Sequence, residues 1–233
     1  MARLLSKKLP KHFWNEEKGL TSIFILLCIS NFIVLPFFDQ QQVIHIIMRI
    51  IWFALLITGI STLSESRSQI RNLSVLPVLL VIISILDNIL DYRILAYIDF
   101  LIELSVYFLL TGMVLVKVFE DGSVTIHRVI GSIVGYMLIG NIWALTYQFI
   151  YIQLPGSLQF PDSAGPGIAP SIFLYFSYTT LTTTGFGEIL PVQPITRTLV
   201  IIEQLIGVLY PVVLIGRLVS LVTGSKDVTE KGN

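Results

Sequence analysis

The chain has 233 residues, of which 54% are hydrophobic and 13% charged, and its mean hydropathy is +0.82. Soluble domains carry about 25% charged residues, so the main solvent of this chain is lipid, and its apolar stretches leave no room for a cytoplasmic catalytic or ligand-binding domain of about 50 residues or more. Fifteen basic residues balance fifteen acidic ones and the pI is near 6.8, which gives no footprint for a nucleic-acid partner. Cys28 is the one cysteine, which excludes an intrachain disulfide and a cysteine-based zinc site and leaves the redox compartment unread.

About 20 apolar residues cross a bilayer as a helix. Residues 20–38 form the first such stretch. Without a small-residue cleavage pattern, and with further spans behind it, the stretch reads as a retained helix rather than a leader. The polar turn Asp39-Gln40-Gln41-Gln42 follows. Residues 43–63 are the second span and contain His45 and Arg49; residues 73–90 are the third, short and ending among Asp87 and Asp91. Residues 94–119 are the fourth, with Asp99 and Glu103 inside it, and residues 126–152 the fifth. Residues 153–167 hold Pro155, Pro161 and Pro166 with no lysine or arginine and read as an exposed loop. Residues 169–182 are helical, with Pro170 allowed in the first turn, but reach only about 20 Å, too short to cross. A last span covers residues 194–222, and residues 223–233 form a short polar tail.

Basic residues mark cytoplasmic segments. With the N-terminus inside, Arg3, Lys7, Lys8, Lys11, Lys18, Arg67, Arg71, Lys117, Arg128, Arg217, Lys226 and Lys231 lie inside, against Arg93 and Arg197 outside. Both termini are therefore expected to be cytoplasmic. The half-crossing helix and the segment after it then enter from outside. Trp14 beside Lys7, Lys8 and Lys11 fits a cytoplasmic interfacial anchor.

The segment after the short helix is Thr182-Thr183-Thr184-Gly185-Phe186-Gly187-Glu188. Non-helical backbone at membrane depth is tolerated only where it is buried in protein or lines water. Glycines at alternate positions permit backbone geometry that other residues resist, so that successive carbonyl oxygens can turn to one side. The negative end of the short helix favours a cation there.

On these residues the chain resembles the tetrameric potassium-channel family, whose filters use rings of backbone carbonyls from Thr-Val-Gly-Tyr-Gly loops. Thr183-Thr184-Gly185-Phe186-Gly187 matches that motif in register, with Thr184 for Val and Phe186 for Tyr, and Glu188 stands where the family usually has Asp. Pro191, Arg197 and Gly207 fit the outer mouth and the inner-helix glycine of the family. Together with Val124-Thr125 through Trp143 and Glu203-Gln204-Leu205-Ile206-Gly207-Val208-Leu209-Tyr210, they look like small bacterial six-helix channels without a large cytoplasmic domain. The resemblance covers residues 126–222; the first four spans match in count alone. It implies that Thr183, Thr184, Gly185, Phe186 and Gly187 coordinate the ion, that Glu188 lies at the outer mouth, and that Gly207 is a hinge, with Pro211 a second position that can bend the helix. It also implies a homotetramer in a lipid bilayer, in a bacterial plasma membrane, with potassium as the permeant ion and no cofactor. The extra hydroxyl of Thr184 needs a partner and is expected to loosen the strand, which would admit sodium.

Charges at membrane depth are functional hypotheses by default. Arg49 lies about 9 Å below the outer surface, Asp99 about 8 Å and Glu103 about 14 Å, counting 1.5 Å per residue. Two readings stand: a buried salt bridge joining the second and fourth helices, or a proton or voltage sensor. The fourth helix lacks the repeated arginines that steep voltage dependence needs, so strong voltage dependence is not expected. Glu203 either sits behind the filter and accepts hydrogen bonds from the short helix, from Thr179 or Tyr178, or lines the water-filled cavity.

The expected architecture is an all-α membrane protein with six transmembrane helices plus a half-crossing pore helix and filter loop, assembled as a tetramer. Residues 1–19 form a cytoplasmic segment, 20–119 four helices, 120–222 the pore domain and 223–233 the tail. The expected function is passive potassium flux. The alternatives are a weakly selective monovalent cation channel and a secondary transporter, which should show paired broken helices in both halves. No catalytic constellation is visible, so an enzyme is not expected.

Overall fold

The computed structural model describes residues 11–38, 50–51, 53–55, 57–59, 82, 93–120, 125–161 and 169–230. Its elements are α1 (Lys11–Ile29), a π-helical turn (Ser30–Val34), α2 (Leu35–Phe38), α3 (Arg93–Phe119), α4 (Ile126–Gln153), β1 (Leu158–Gln159), α5 (Pro170–Leu181), β2 (Leu190–Pro191) and α6 (Pro194–Glu230). Local chemistry sets several boundaries. Thr125 caps α4, its side chain accepting from the Arg128 amide at 3.4 Å, which satisfies one of the free donors of a helix start. Pro170 opens α5, where a missing N–H is harmless.

Among the described residues, Gly19–Phe37, Tyr97–Phe119, Ile126–Gln153 and Pro194–Ser220 are long and apolar enough to cross a membrane. These are the first, fourth, fifth and last expected spans. The expected span over residues 73–90 lies outside the described residues except for Ile82, which is helical. Of the span over 43–63, the described residues between 50 and 59 are helical, and the rest, including Arg49, lies outside them.

One core cluster joins α1, α3 and α4. Leu20, Ile23 and Leu27 of α1 meet Leu110, Val114 and Val118 of α3 and Val134 and Leu138 of α4, with Leu55 packed among them. The three- and four-residue spacings put each set on one helix face. Glycines let these helices approach. A Cβ on Gly131 would lie 3.1 Å from the Val118 side chain, and one on Gly135 would lie 2.8 Å from the Tyr210 hydroxyl. Small residues serve membrane helix contacts in this way. A second cluster, aromatic and nearer the other end of α4, joins Tyr147, Phe173, Phe176, Leu158, Ile189 and Leu35.

One expectation changes. Residues 153–167 are not simply an exposed loop: Ser157 and Leu158 are fully or almost fully buried. Leu158 packs into the aromatic cluster, and β1 pairs antiparallel with β2, Leu158 opposite Pro191 and Gln159 opposite Leu190. The last span, Pro194–Ser220, matches the expected one, and the helix that carries it continues to Glu230, since the polar residues of the tail are compatible with helix once the span is formed. α6 differs from the other helices in its exposure. Ile201, Leu205, Leu209 and Val213 all lie open on it.

Candidate functional site

α5 has 12 residues and so a length of about 18 Å, well short of the roughly 30 Å hydrocarbon core. A helix end leaves its last carbonyls without intrahelical donors, and here each finds one. Tyr178 O accepts from the Thr182 amide at 3.0 Å, Thr180 O from the Thr183 amide at 2.9 Å, and Thr179 O from the amides of Thr184 and Gly185 at 2.8 and 3.1 Å. Leu181 O accepts from the Tyr136 hydroxyl of α4 at 3.1 Å. The loop is thus strapped onto the end of α5 by its own backbone.

The strapped loop has an alternating backbone. Thr183, Gly185 and Gly187 have φ of 56°, 53° and 82°, while the residues between them stay in the ordinary negative range. Glycine takes this left-handed region freely. Thr183 does not, and a strained residue of this kind costs about 1–3 kcal/mol. In an ordinary strand successive carbonyls point to opposite sides; alternating the hand of successive residues turns them toward the same side. Residues 182–188 are all exposed on the single chain.

The end of the loop away from α5 is held separately. The Phe186 ring stacks on Tyr175 of α5 at a centroid distance of 6.4 Å and 2° between planes. The Tyr175 hydroxyl donates to Glu188 at 3.3 Å. Beyond β2, Ser157 O accepts from the Val192 amide at 2.9 Å, and the buried Thr196 hydroxyl lies 3.0 Å from Ser157 O and 2.8 Å from Gln193 O, its one proton shared between the two carbonyls. Arg197 Nε donates to Pro191 O at 3.1 Å. Thr184 has the partner its hydroxyl requires: its Oγ1 lies 2.9 Å from Thr182 Oγ1, which itself donates to Tyr178 O at 2.7 Å. With the Thr182 proton committed, Thr184 is the donor. This hydroxyl thus bonds the loop to the residue that ends α5.

Glu203 of α6 is fully buried. Tyr147 of α4 donates to its Oε2 at 2.6 Å, and Ser177 Oγ of α5 lies 2.6 Å from its Oε1. The expected donors, Thr179 and Tyr178, are not the ones used. Thr179 Oγ1 donates back to Phe176 O at 3.0 Å, and the Tyr178 hydroxyl donates to Met137 O at 3.2 Å. Helical geometry explains the difference: position 179 is about 200° around the axis from position 177, on the face that receives the loop through its backbone carbonyl. Nor does Glu203 line a cavity, since it is closed in on three sides by helices of its own chain.

Gly207 has the closest approach of the described glycines. A Cβ there would lie 1.8 Å from Leu181 O and 2.7 Å from Leu181 C. Close approach of α6 to the end of α5 thus accounts for a glycine at this position without any bending. α6 runs uninterrupted through Pro211. Asp99 and Glu103 are half-buried on α3; Arg49, their expected partner, lies outside the described residues.

Sequence reasoning missed Tyr147, Ser177, Tyr136 and Asn31, whose Nδ2 donates to the Tyr178 hydroxyl at 3.0 Å. It also missed the contact glycines of α4, although the four-residue spacing of Gly131 and Gly135 was a usable signal.

A family model described as ion channel matches residues 132–224. Neither a curated protein nor a solved structure matches the chain. The similarity spans most of α4, all of α5 and α6 to residue 224, and it is to a family of passive channels, not of enzymes. With the apolar helices, it marks an integral membrane protein carrying an ion-channel-like domain.

Proposed function

We propose that the chain is one subunit of a homotetrameric potassium channel, with six transmembrane helices per subunit and both termini in the cytoplasm. Potassium is the permeant ion. The loop carbonyls of Thr183, Thr184, Gly185 and Phe186, with the Thr183 hydroxyl innermost, replace its hydration shell, and Gly187 gives the strand the backbone freedom it needs at its outer end. The observation that carries this reading is the alternation of positive φ at Thr183, Gly185 and Gly187 in an exposed segment directly after a half-crossing helix. An open strand of this hand would offer one oxygen ring per residue when four copies meet at an axis. Glu188 stands at the outer mouth. The Phe186–Tyr175 stack and the Thr184–Thr182 bond support the loop from its flanks. The exposed apolar row on α6 supports packing against other subunits and lipid. The absence of repeated arginines on α3 supports weak voltage dependence.

The test is ion flux from liposomes reconstituted with the protein, under potassium or sodium gradients. Potassium flux should greatly exceed sodium flux, and Gly185→Ala, which forces a side chain into the left-handed region, should abolish the discrimination. Equal fluxes of the two ions would replace this reading with a weakly selective cation pore. A Gly185→Ala protein with unchanged selectivity would remove the loop from the conduction path.

A further inference from the structure

Proton counting around Glu203 carries a second conclusion, which rests on the channel reading for its functional consequence only. Ser177 Oγ lies 2.8 Å from Gly140 O and 2.6 Å from Glu203 Oε1, both with hydrogen-bonding geometry. A serine hydroxyl has one proton to donate. The Gly140 carbonyl can only accept. If Glu203 were ionised it too could only accept, and one of the two oxygens would face a lone pair in a fully buried site. The Gly140 carbonyl keeps its intrahelical donor within α4 in either case, so the cost is the repulsion of two oxygens held 2.6 or 2.8 Å apart with no proton between them. A neutral carboxylic acid removes the conflict. Oε1–H donates to Ser177 Oγ, Ser177 donates to Gly140 O, and Tyr147 donates to Oε2, so that each of the three short contacts carries one proton.

The surroundings point the same way. Among the described residues, the titratable group in direct contact with Glu203 is the phenol of Tyr147 on α4, while the Tyr136 phenol further along α4 is committed to Leu181 O. α5 presents Ser177, which does not titrate. Among the described residues no lysine, arginine or histidine pairs with the carboxyl. An ionised carboxylate at this depth would therefore stand without a counter-charge, which a low-dielectric site penalises heavily.

We propose that Glu203 is a positioning residue that carries a resident proton, and that this proton completes the bridge fastening α5 to α4 and α6. Raising the pH strips the proton to bulk water. The bridge then lacks one donor, α5 loosens, and the loop it carries loses its register. Potassium flux should accordingly fall several-fold at alkaline pH.

Two readouts test this on the full-length protein in liposomes. The first is infrared spectroscopy. The parent at neutral pH should show a carboxylic-acid carbonyl band that is missing from Glu203→Gln and moved in Glu203→Asp, and a pH titration of the parent alone should bleach it. The second is potassium flux against pH. Glu203→Gln mimics the neutral acid, its amide donating to Ser177 while its oxygen accepts from Tyr147. It should keep the parent's neutral-pH flux and lose the alkaline fall. Glu203→Ala should be impaired at every pH. Absence of the infrared band in the parent overturns the proposal, as does a Glu203→Gln protein that retains the parent's alkaline fall. If the parent carries no ion flux at any pH, the channel reading fails, and the infrared band alone decides whether the proton is resident.

Discussion

Replacing Gly207 by alanine should be among the most damaging single-methyl changes available in this protein. The added Cβ would sit 1.8 Å from Leu181 O, whereas ordinary contact begins at 3.4 Å. The gap must open by about 1.6 Å, and rotamer changes cannot supply it because the obstacle is backbone. Overpacking of this kind costs about 1–3 kcal/mol. The displaced oxygen is also the acceptor for Tyr136, and losing that bond adds about 0.5–1.5 kcal/mol. The expected loss is about 2–4 kcal/mol per chain. The control is Gly112→Ala on α3, where a Cβ meets nothing within 4 Å. Thermal unfolding in detergent, with both variants beside the parent, reads the difference. Equal melting temperatures for Gly207→Ala and Gly112→Ala would refute the claimed close approach. A Gly207→Ala protein of normal stability but altered ion flux would instead favour a hinge at this position.

Thr196→Val removes the buried hydroxyl whose proton Ser157 O shares with Gln193 O, and should lower stability by about 1 kcal/mol; an unchanged melting temperature would show that the amide of Val192 suffices. Thr184→Val deletes the bond to Thr182 and should leave potassium-over-sodium selectivity equal or worse in bi-ionic reversal potentials. Sharper selectivity would mean that the hydroxyl loosens the loop after all. For the charged residues of the second and fourth spans, Arg49→Ala should destabilise the protein by about 3–5 kcal/mol if it pairs with Glu103, and Arg49→Ala with Glu103→Ala should recover part of that loss. Additive losses would show that the two do not meet.

The elements legible in advance were those written in local composition. The long apolar runs defined α1, α3, α4 and α6 to within a few residues at their membrane-facing parts, and Pro170 with Gly185 bracketed α5 and its loop. What stayed hidden depends on partners far along the chain. Nothing near Ser177 announces that it will meet Glu203, or that Tyr147, 56 residues before Glu203, will meet it too. Glycine is ambiguous in the same way: Gly207 in an apolar helix reads as freedom to bend, and the position of Leu181 adds a second reason for glycine there, absence of bulk. Leu158 gave no sign of burial because its neighbours Pro155 and Gly156 are loop residues by any local rule. Its burial is decided by Phe173 and Ile189, on segments beyond the reach of sequence spacing.

The π-helical turn at Ser30–Val34 adjusts the phase of the first helix. Such a turn holds about one residue more than an α-helical turn, so it sets the angle between the face before it and the face after it. Before the turn, Ile23 and Leu27 point into the cluster shared with α3 and α4; in it, Ser30 and Asn31 are buried; after it, Leu35 reaches the aromatic cluster around Tyr147 and Phe173. Were the same five residues wound as ordinary α-helix, with none removed, one face would swing by about 100° relative to the other, the turn of the one residue that the π-helical turn absorbs. Helix content would hardly change, so circular dichroism would miss the lesion, while Asn31 would be carried off Tyr178 and the seam between α1 and α5 would open. Loss of one residue inside the turn is therefore a length change this helix can absorb, since it restores ordinary α-helix with both buried faces in place, whereas other added residues belong before Leu20, where they extend the helix without turning one buried face against the other.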